Sequence, residues 1–351
     1  MLSHCSILIG EIRNLKSVFR GVSFTGSGSA TACQPLTNDA LSQVVETSDD
    51  WIGSRTGIRQ RRLLAPSQSL SQLCAQAGQQ ALEMADLDPL AVDLILLATS
   101  TPDDLFGSAG LVQHLLGASQ AVAFDLTAAC SGFVFALATA AQFIRTGTYK
   151  TVLVLGADVL SRWVDWSDRT TCVLFGDGAG AMVLQATEAD ALLSFELCTD
   201  GSLGEALSLG YGGEARHLTE EITVTQGSYG PIAMKGKDVY RFAVARVPEV
   251  IEKVFYKAQL DITDLDWLVL HQANQRILEA VGDRLGIVPA KIISNLAQYG
   301  NTSAASIPLV LDEAVRAGKI QPQHLLALAG FGAGLSWGGA LIRWGGHGFS
   351  S

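Results

Sequence analysis

What most constrains this chain is that it repeats itself. The stretch DLILLATST at 93–101 shares a frame with DWLVLHQAN at 266–274: an aspartate, an apolar run, then small or polar residues. Cys130 stands 37 positions after Asp93, and Asn301 stands 35 after Asp266. From Cys130 to Gly147, the glycine of IRTG, is 17 residues, and from Asn301 to Gly318, the glycine of VRAG, is also 17. Each glycine leads through a short polar connection into a strand-like run, TVLVLGAD or LLALAGFG. Correspondences in the same order point to a duplicated α/β unit in which the turns at Cys130 and Asn301 are equivalent.

The rest of the chain fits that unit. Strand-like runs at 22–29, 94–100, 121–126, 151–157, 267–273 and 325–332 are interleaved with helical patterns at 70–87, 131–146, 238–258, 274–285 and 303–317. Such alternation, with mostly continuous apolar strands, predicts an α/β fold whose strands are covered on both faces. With 351 residues, 48% of them hydrophobic, the chain can bury a large core. The expected division is 20–190 for the first half and 191–351 for the second. Residues 1–19 form an N-terminal extension whose short apolar run, Ile7 to Gly10, and nearby Glu11 do not make a signal-peptide core. It reads as a loosely held extension or as a start codon placed too early. No uninterrupted apolar stretch reaches 18 residues, so no membrane partner is expected.

A net charge of −10 and a pI near 5.0 argue against nucleic acid, whose phosphates call for a basic stripe. The cysteines at 5, 33, 74, 130, 172 and 198 form no CxxC and no His/Cys cluster. Neither a metal site nor a disulfide framework is expected, and a reducing cytosol fits best.

Functional groups in open α/β sheets collect beyond the carboxyl ends of strands, so duplication would bring Cys130, His271 and Asn301 together. Each has two readings. Cys130 is either a small buried hydrophobe or a nucleophile at a helix start, where free N–H groups and the helix dipole would lower its pKa from about 8.5. The small residues of AACSG leave room for a substrate. His271, after WLVL, is a structural strand-end histidine or a hydrogen-bonding and proton-transfer group. Asn301, in QYGNTSAASIP, is a turn residue or an amide donor. Taken together they supply a nucleophile, an imidazole and an oxyanion donor. The other five cysteines lack this context. FGDGAGAMVL at 175–184 and GFGAGLSWGGALIRW at 330–344 match neither phosphate-loop nor dinucleotide patterns. They read as backbone approaching backbone or ligand, with N–H groups near Gly332 and Ala333 joining that of Cys130 around an oxyanion.

AACSGF, HQANQRI and YGNTSAASIP, with TSDDWIGSRTGIRQR at 47–61 and FGDGAGA, resemble the Cys-His-Asn signature of the 3-oxoacyl-[acyl-carrier-protein] synthase III family over residues 20–345. The resemblance implies a thiolase-like fold, a duplicated five-layered α/β/α/β/α sandwich that usually forms a homodimer in the cytoplasm. It implies that Cys130 is acylated by acyl-CoA, with acetyl-CoA the expected primer. His271 and Asn301 would then hold the thioester carbonyl of malonyl-acyl carrier protein during decarboxylative condensation, with no cofactor or metal. CoA contacts are implied for Trp51, Arg55, Arg169 and Asn274, whereas Lys237 stands where relatives carry Asn. Carrier-protein contacts are implied for Gln272, Ala273, Asn274, Gln275 and Arg276, with Arg241 and Arg284. The plainer reading of the arginines is solvated helix charge, above all Arg284 beside Asp283. Phe331 and Phe106 are implied in the acyl pocket, Phe106 from a dimer partner. A type III polyketide synthase shares Cys-His-Asn but takes a CoA-bound extender. Elongating condensing enzymes carry a second His where Asn301 stands, and a cysteine hydrolase needs a water path that the sequence does not suggest.

Overall fold

The computed structural model describes residues 20–345, so the N-terminal extension lies outside the described residues. The chain begins with β1 (Gly21–Thr31), α1 (Asp49–Thr56), α2 (Leu70–Met84), β2 (Leu94–Ala98) and α3 (Ala109–Leu116). It continues through β3 (Val122–Leu126), α4 (Gly132–Arg145), β4 (Thr151–Val159) and β5 (Asp177–Thr187). After β6 (Leu192–Thr199) come a hairpin, β7 (Tyr211–His217) and β8 (Thr223–Tyr229), and the long helix α5 (Gly236–Ala258). Then follow β9 (Trp267–Leu270), α6 (Gln275–Leu285), α7 (Ser306–Arg316), β10 (Leu325–Gly332) and β11 (Ser336–Arg343).

Local chemistry sets several of these boundaries. Ser69 and Gln72 form a reciprocal capping box at the start of α2. Ser48 caps α1, and Gly57 ends it at φ +81°, a conformation that costs glycine little. Asn274 caps α6 by accepting the Arg276 N–H.

The sheets carry the duplication. The first has the order β1-β5-β4-β2-β3, and the second β6-β11-β10-β9. Read in that order, the first two pairs of each sheet are antiparallel, and the third, β4–β2 or β10–β9, is parallel. Where β3 runs parallel beside β2, the second sheet has only a parallel bridge between Leu268 and Ile292. Helices α2 and α3 cover the outer face of the first sheet, α4 and α7 lie between the sheets, and α5 covers the second sheet with α6 at its side. The result is the five-layered α/β/α/β/α sandwich. Its central strands β2, β4 and β10 are buried at every residue, as strands covered on both faces must be.

The glycine-rich stretches bring backbone against backbone, as the sequence reading had it: they form β5, the end of β10 and β11, and a Cβ on Gly180 would lie 2.7 Å from Leu309 N at the inner helix α7. Two features differ from the sequence reading. The hairpin β7–β8, exposed along its length, has no counterpart among the predicted elements. Finally, the turn equivalent to Cys130 is not at Asn301. The short 3₁₀ turns before the two inner helices are Ala129–Ser131 and Ser303–Ala305, each entered through a left-handed residue, Ala129 at φ +47° and Ser303 at φ +51°. Cys130 therefore corresponds to Ala304, and Asn301 stands three residues earlier. Helix α4 is longer than α7, 14 residues against 11, and that difference hid the offset in the glycine spacing.

Candidate active site

The inner helices α4 and α7 begin at the same end of the sandwich, and their 3₁₀ turns pack on one another. A cavity of about 520 Å³ opens there, lined by Cys130, His271 and Asn301 together with Phe331 and Gly332. Trp51, Arg55, Arg169, Ala273, Asn274 and Arg276 also line it. Residues predicted from three distant motifs are thus brought to one place.

Cys130 is buried, and the Ser303 hydroxyl donates to its Sγ at 3.2 Å. Burial, helped by the nearby Asp158 carboxylate, pushes the thiol up to about 12, overriding that hydrogen bond. The expectation of a lowered thiol pKa is therefore corrected: desolvation outweighs the helix start, and the resting group is a thiol. Gly332 lies directly against it, since a Cβ there would sit 2.8 Å from Cys130 Cβ and 2.9 Å from its N. Among the described residues, no acceptor is paired with the Cys130 N–H. Ala333, one residue beyond Gly332, is half-buried and does not line the cavity.

His271 follows β9, and its N–H donates to Ala329 O of β10 at 2.8 Å. The ring meets Phe331 edge-on at 5.1 Å, and its Nδ1 lies 2.7 Å from Ser306 Oγ. Burial takes its pKa down to about 3, so the imidazole is neutral at physiological pH. The Asn301 backbone is clamped by the first half: its N–H donates to Leu174 O and its carbonyl accepts from Gly176 N, both at 2.9 Å. Its Oδ1 accepts from Ser303 N at 2.9 Å, which leaves the Nδ2 protons without a partner among the described residues. The clamp needs glycine, because a Cβ on Gly176 would come within 2.3 Å of Tyr299 O.

At the mouth, Trp51 is flanked by two guanidinium groups, Arg55 at 4.6 Å and Arg169 at 5.1 Å from its ring centre. Asn274 Nδ2 donates to Arg55 O at 3.2 Å and Arg276 Nη2 to Ser54 O at 2.8 Å, docking α6 on the end of α1. Gln275 is half-buried, and its Nε2 bonds Glu279. Gln272 departs from expectation. It is fully buried, donates to Leu270 O and Ile293 O, and accepts from Ser294 Oγ and Asn295 N, so it braces the loop toward Asn301 and offers no surface to a partner. Arg241 is exposed beside Asp238, Arg284 bonds Val244 O at 3.1 Å, and Lys237 is exposed; none of these three lines the cavity. Phe106 is 98% exposed and is not brought to the cavity of its own chain.

Sequence reasoning missed Asp158, Ser303 and Ser306. Asp158 is fully buried and accepts from Thr99 Oγ1, Ser100 N, Thr101 Oγ1 and Ala304 N at 2.8–3.2 Å. A charge inside the apolar run TVLVLGADV was its signal, as were the hydroxyls two and five places after Asn301 for the serines. Among the described residues, no group of three or more His, Cys, Asp or Glu is arranged to hold a metal ion, and no helix is long and apolar enough to cross a membrane.

Comparison with known proteins agrees with this arrangement. A family profile described as 3-Oxoacyl-[acyl-carrier-protein (ACP)] synthase III C terminal matches residues 255–344, and one described as 3-Oxoacyl-[acyl-carrier-protein (ACP)] synthase III matches residues 124–201. The beta-ketoacyl-[acyl-carrier-protein] synthase III of Synechococcus elongatus is 66% identical over 326 residues, covering 93% of this chain and 97% of the relative. The protein of the same name from Microcystis aeruginosa is 64% identical over 325 residues, covering 92% of this chain and 98% of the relative. The crystal structure of 3-oxoacyl-[acyl-carrier-protein] synthase III from Aquifex aeolicus superposes with a TM-score of 0.85 at 41% identity, over 92% of this chain and 100% of that one.

Proposed function

Since the chain belongs to the 3-oxoacyl-[acyl-carrier-protein] synthase III family, the condensing acyltransferases that initiate fatty acid synthesis, we propose that it joins an acyl group from acyl-CoA to malonyl-acyl carrier protein through Cys130. The observation that carries this reading is the convergence of Cys130, His271 and Asn301 on one cavity.

In the first half-reaction, Cys130 Sγ attacks the acyl-CoA carbonyl, the bond to the CoA sulfur breaks, and the thiol proton leaves with CoA. Because the resting thiol is protonated, deprotonation accompanies attack instead of preceding it. The Cys130 N–H is the donor for the developing oxyanion, with a backbone N–H from the Gly332–Ala333 stretch as its partner. In the second half-reaction the malonyl thioester carbonyl accepts from His271 Nε2–H and Asn301 Nδ2–H. The bond to the carboxylate breaks, CO2 leaves, and its electron pair becomes an enolate. The enolate carbon attacks the acyl-cysteine, and the released Cys130 thiolate takes up a proton. Two fixed donors in a largely buried site favour this charge without a strong base.

The guanidinium-flanked Trp51 supports nucleotide binding at the mouth, with Arg55, Arg169 and Asn274 beside it. Arg276 at the rim, with Ala273, Asn274 and Gln275, suits an acidic carrier protein, and Arg241 and Arg284 extend the basic face. No cofactor or metal enters this scheme. The gap between β5, ending at Thr187, and β6, beginning at Leu192, supports a division into 20–190 and 191–351. A homodimer is supported by β3, an edge strand with Val122 and Phe124 exposed, beside the exposed Leu105, Phe106, Leu111 and Leu115. Phe106 would then reach the partner's acyl pocket, beside Phe331. Sedimentation of the purified protein tests this, and a monomer would refute it.

The main test separates the half-reactions. Cys130→Ala should abolish acylation and condensation, whereas His271→Ala and Asn301→Ala should cut condensation about 10²–10³-fold while an acyl-enzyme still forms by mass spectrometry. An acyl-enzyme in Cys130→Ala would overturn the assignment. Arg276→Glu should impair use of malonyl-acyl carrier protein more than loading from acyl-CoA, an effect that added salt masks in part. Equal losses in the two half-reactions would remove Arg276 from the docking face.

A further inference from the structure

The second half-reaction requires His271 to present a proton on Nε2, and the neutral ring carries only one proton. What fixes its place is the group facing Nδ1. That group is Ser306, buried in the first turn of α7, with Oγ 2.7 Å from Nδ1. Ser306 Oγ has two other neighbours: Gln272 N–H at 3.3 Å, which can only donate, and Ser303 O at 2.8 Å, which can only accept. A hydroxyl has one proton and two lone pairs. If its proton goes to Ser303 O, Nδ1 must carry the ring proton, and a bare Nε2 lone pair faces the developing oxyanion. If it goes to Nδ1, Nε2–H faces the cavity.

We infer that Ser306 is a positioning residue, donating its hydroxyl proton to His271 Nδ1 and so holding the ring in the Nε2–H tautomer; this rests on the donor role proposed above for His271. The arrangement orphans nothing, since Ser303 O still accepts the Ser306 backbone N–H. The Gln272 N–H occupies an Oγ lone pair, so the hydroxyl proton is directed away from it. Without the hydroxyl the competing tautomer has an acceptor nearby: Ser303 O lies 2.8 Å from the position of Ser306 Oγ, which itself stands 2.7 Å from Nδ1. Burial at this turn leaves little room for water to stand in for the hydroxyl.

The test uses full-length enzyme labelled with ¹⁵N-histidine, the His271 signals being identified by their loss in His271→Ala. In the unsubstituted enzyme at neutral pH, Nδ1 should be of pyridine type and Nε2 of pyrrole type. Ser306→Ala should reverse that assignment and lower condensation about 10–100-fold, and Ser306→Thr, which keeps the hydroxyl, should restore both. An Nδ1–H ring in the unsubstituted enzyme, or an Nε2–H ring retained in Ser306→Ala, overturns the proposal whatever the activities. A reversed tautomer with condensation intact in His271→Ala would uphold the tautomer assignment while overturning the donor role.

Discussion

Cys130 and Ala304 occupy the same place in two facing turns, and following the chain away from each shows where the halves diverge. Both turns are entered through a left-handed residue and both lead into an inner helix. Each rests on a glycine of the other half's central strand. A Cβ on Gly156 of β4 would come within 2.3 Å of Ala304 O, and one on Gly330 of β10 within 2.9 Å of Ser131 Cα and 3.3 Å of Cys130 O. Two residues further along those strands the likeness ends. Asp158 reaches back and takes the Ala304 N–H at 3.2 Å, whereas Gly332 offers no side chain to the Cys130 N–H. One backbone device is closed in one half and open in the other. The difference is a single side chain, and the open copy holds the nucleophile.

Transplanting the closed state should give the largest effect. In Gly332→Asp the new Cβ would meet Cys130 Cβ at 2.8 Å, and the carboxylate would stand where Asp158 stands in the other half. Acylation should fall by about 10²–10³-fold, as when an oxyanion donor is lost, at an overpacking cost of about 1–3 kcal/mol. Mass spectrometry of the acyl-enzyme, with urea unfolding as the control, checks both. Near-normal acylation would break the comparison. The reciprocal change, Asp158→Asn, turns one acceptor oxygen into an NH2 among donors, leaving one or more of them unpaired. It should lower stability by about 1–3 kcal/mol, read from the urea midpoint, and unchanged stability would mean that the Ala304 N–H needs no cap.

This comparison also shows what was legible beforehand. The duplication and the Cys, His and Asn could be read because they follow from period and from residue types at strand ends: LILLATS, TVLVLGA and WLVLHQA announce buried strands whichever helices cover them. The equivalence of the turns could not. It rests on φ at Ala129 and Ser303, which no spacing reports, and counting back from Gly147 and Gly318 gave Asn301 because α7 is shorter than α4. Gln272 misled for a related reason. Within HQAN its polarity suggests surface, and only the loop at 293–295 reveals an inward side chain with four partners. Asp158, Ser303 and Ser306 escaped because their roles depend on contacts between segments more than 100 positions apart for two of them, Ala304 with Asp158 and Ser303 with Cys130, and 35 for Ser306 with His271.

The two halves should also differ in how pH loads them. His271, in the second half, falls from 6.5 to about 3 on burial, and Cys130, in the first, rises from 9.0 to about 12. Between pH 6.5 and about 3 the unfolded chain binds a proton at His271 that the folded one refuses, so stability is complete above 6.5 and declines as the pH falls. Between pH 9 and about 12 the unfolded chain releases the Cys130 proton while the folded one keeps it, so stability declines as the pH rises. One buried group of each half thus contributes to a different limb of the same stability curve. His271→Gln, which cannot titrate, should flatten the acid limb and leave the alkaline limb alone, and Cys130→Ser should do the reverse. Part of the alkaline slope will survive in Cys130→Ser, because Cys74 is also buried and its thiol is likewise raised by desolvation. Urea unfolding of the three proteins from pH 4 to pH 10 decides the matter through the differences between slopes. A substitution that moves both limbs equally would mean that packing, not titration, separates the halves.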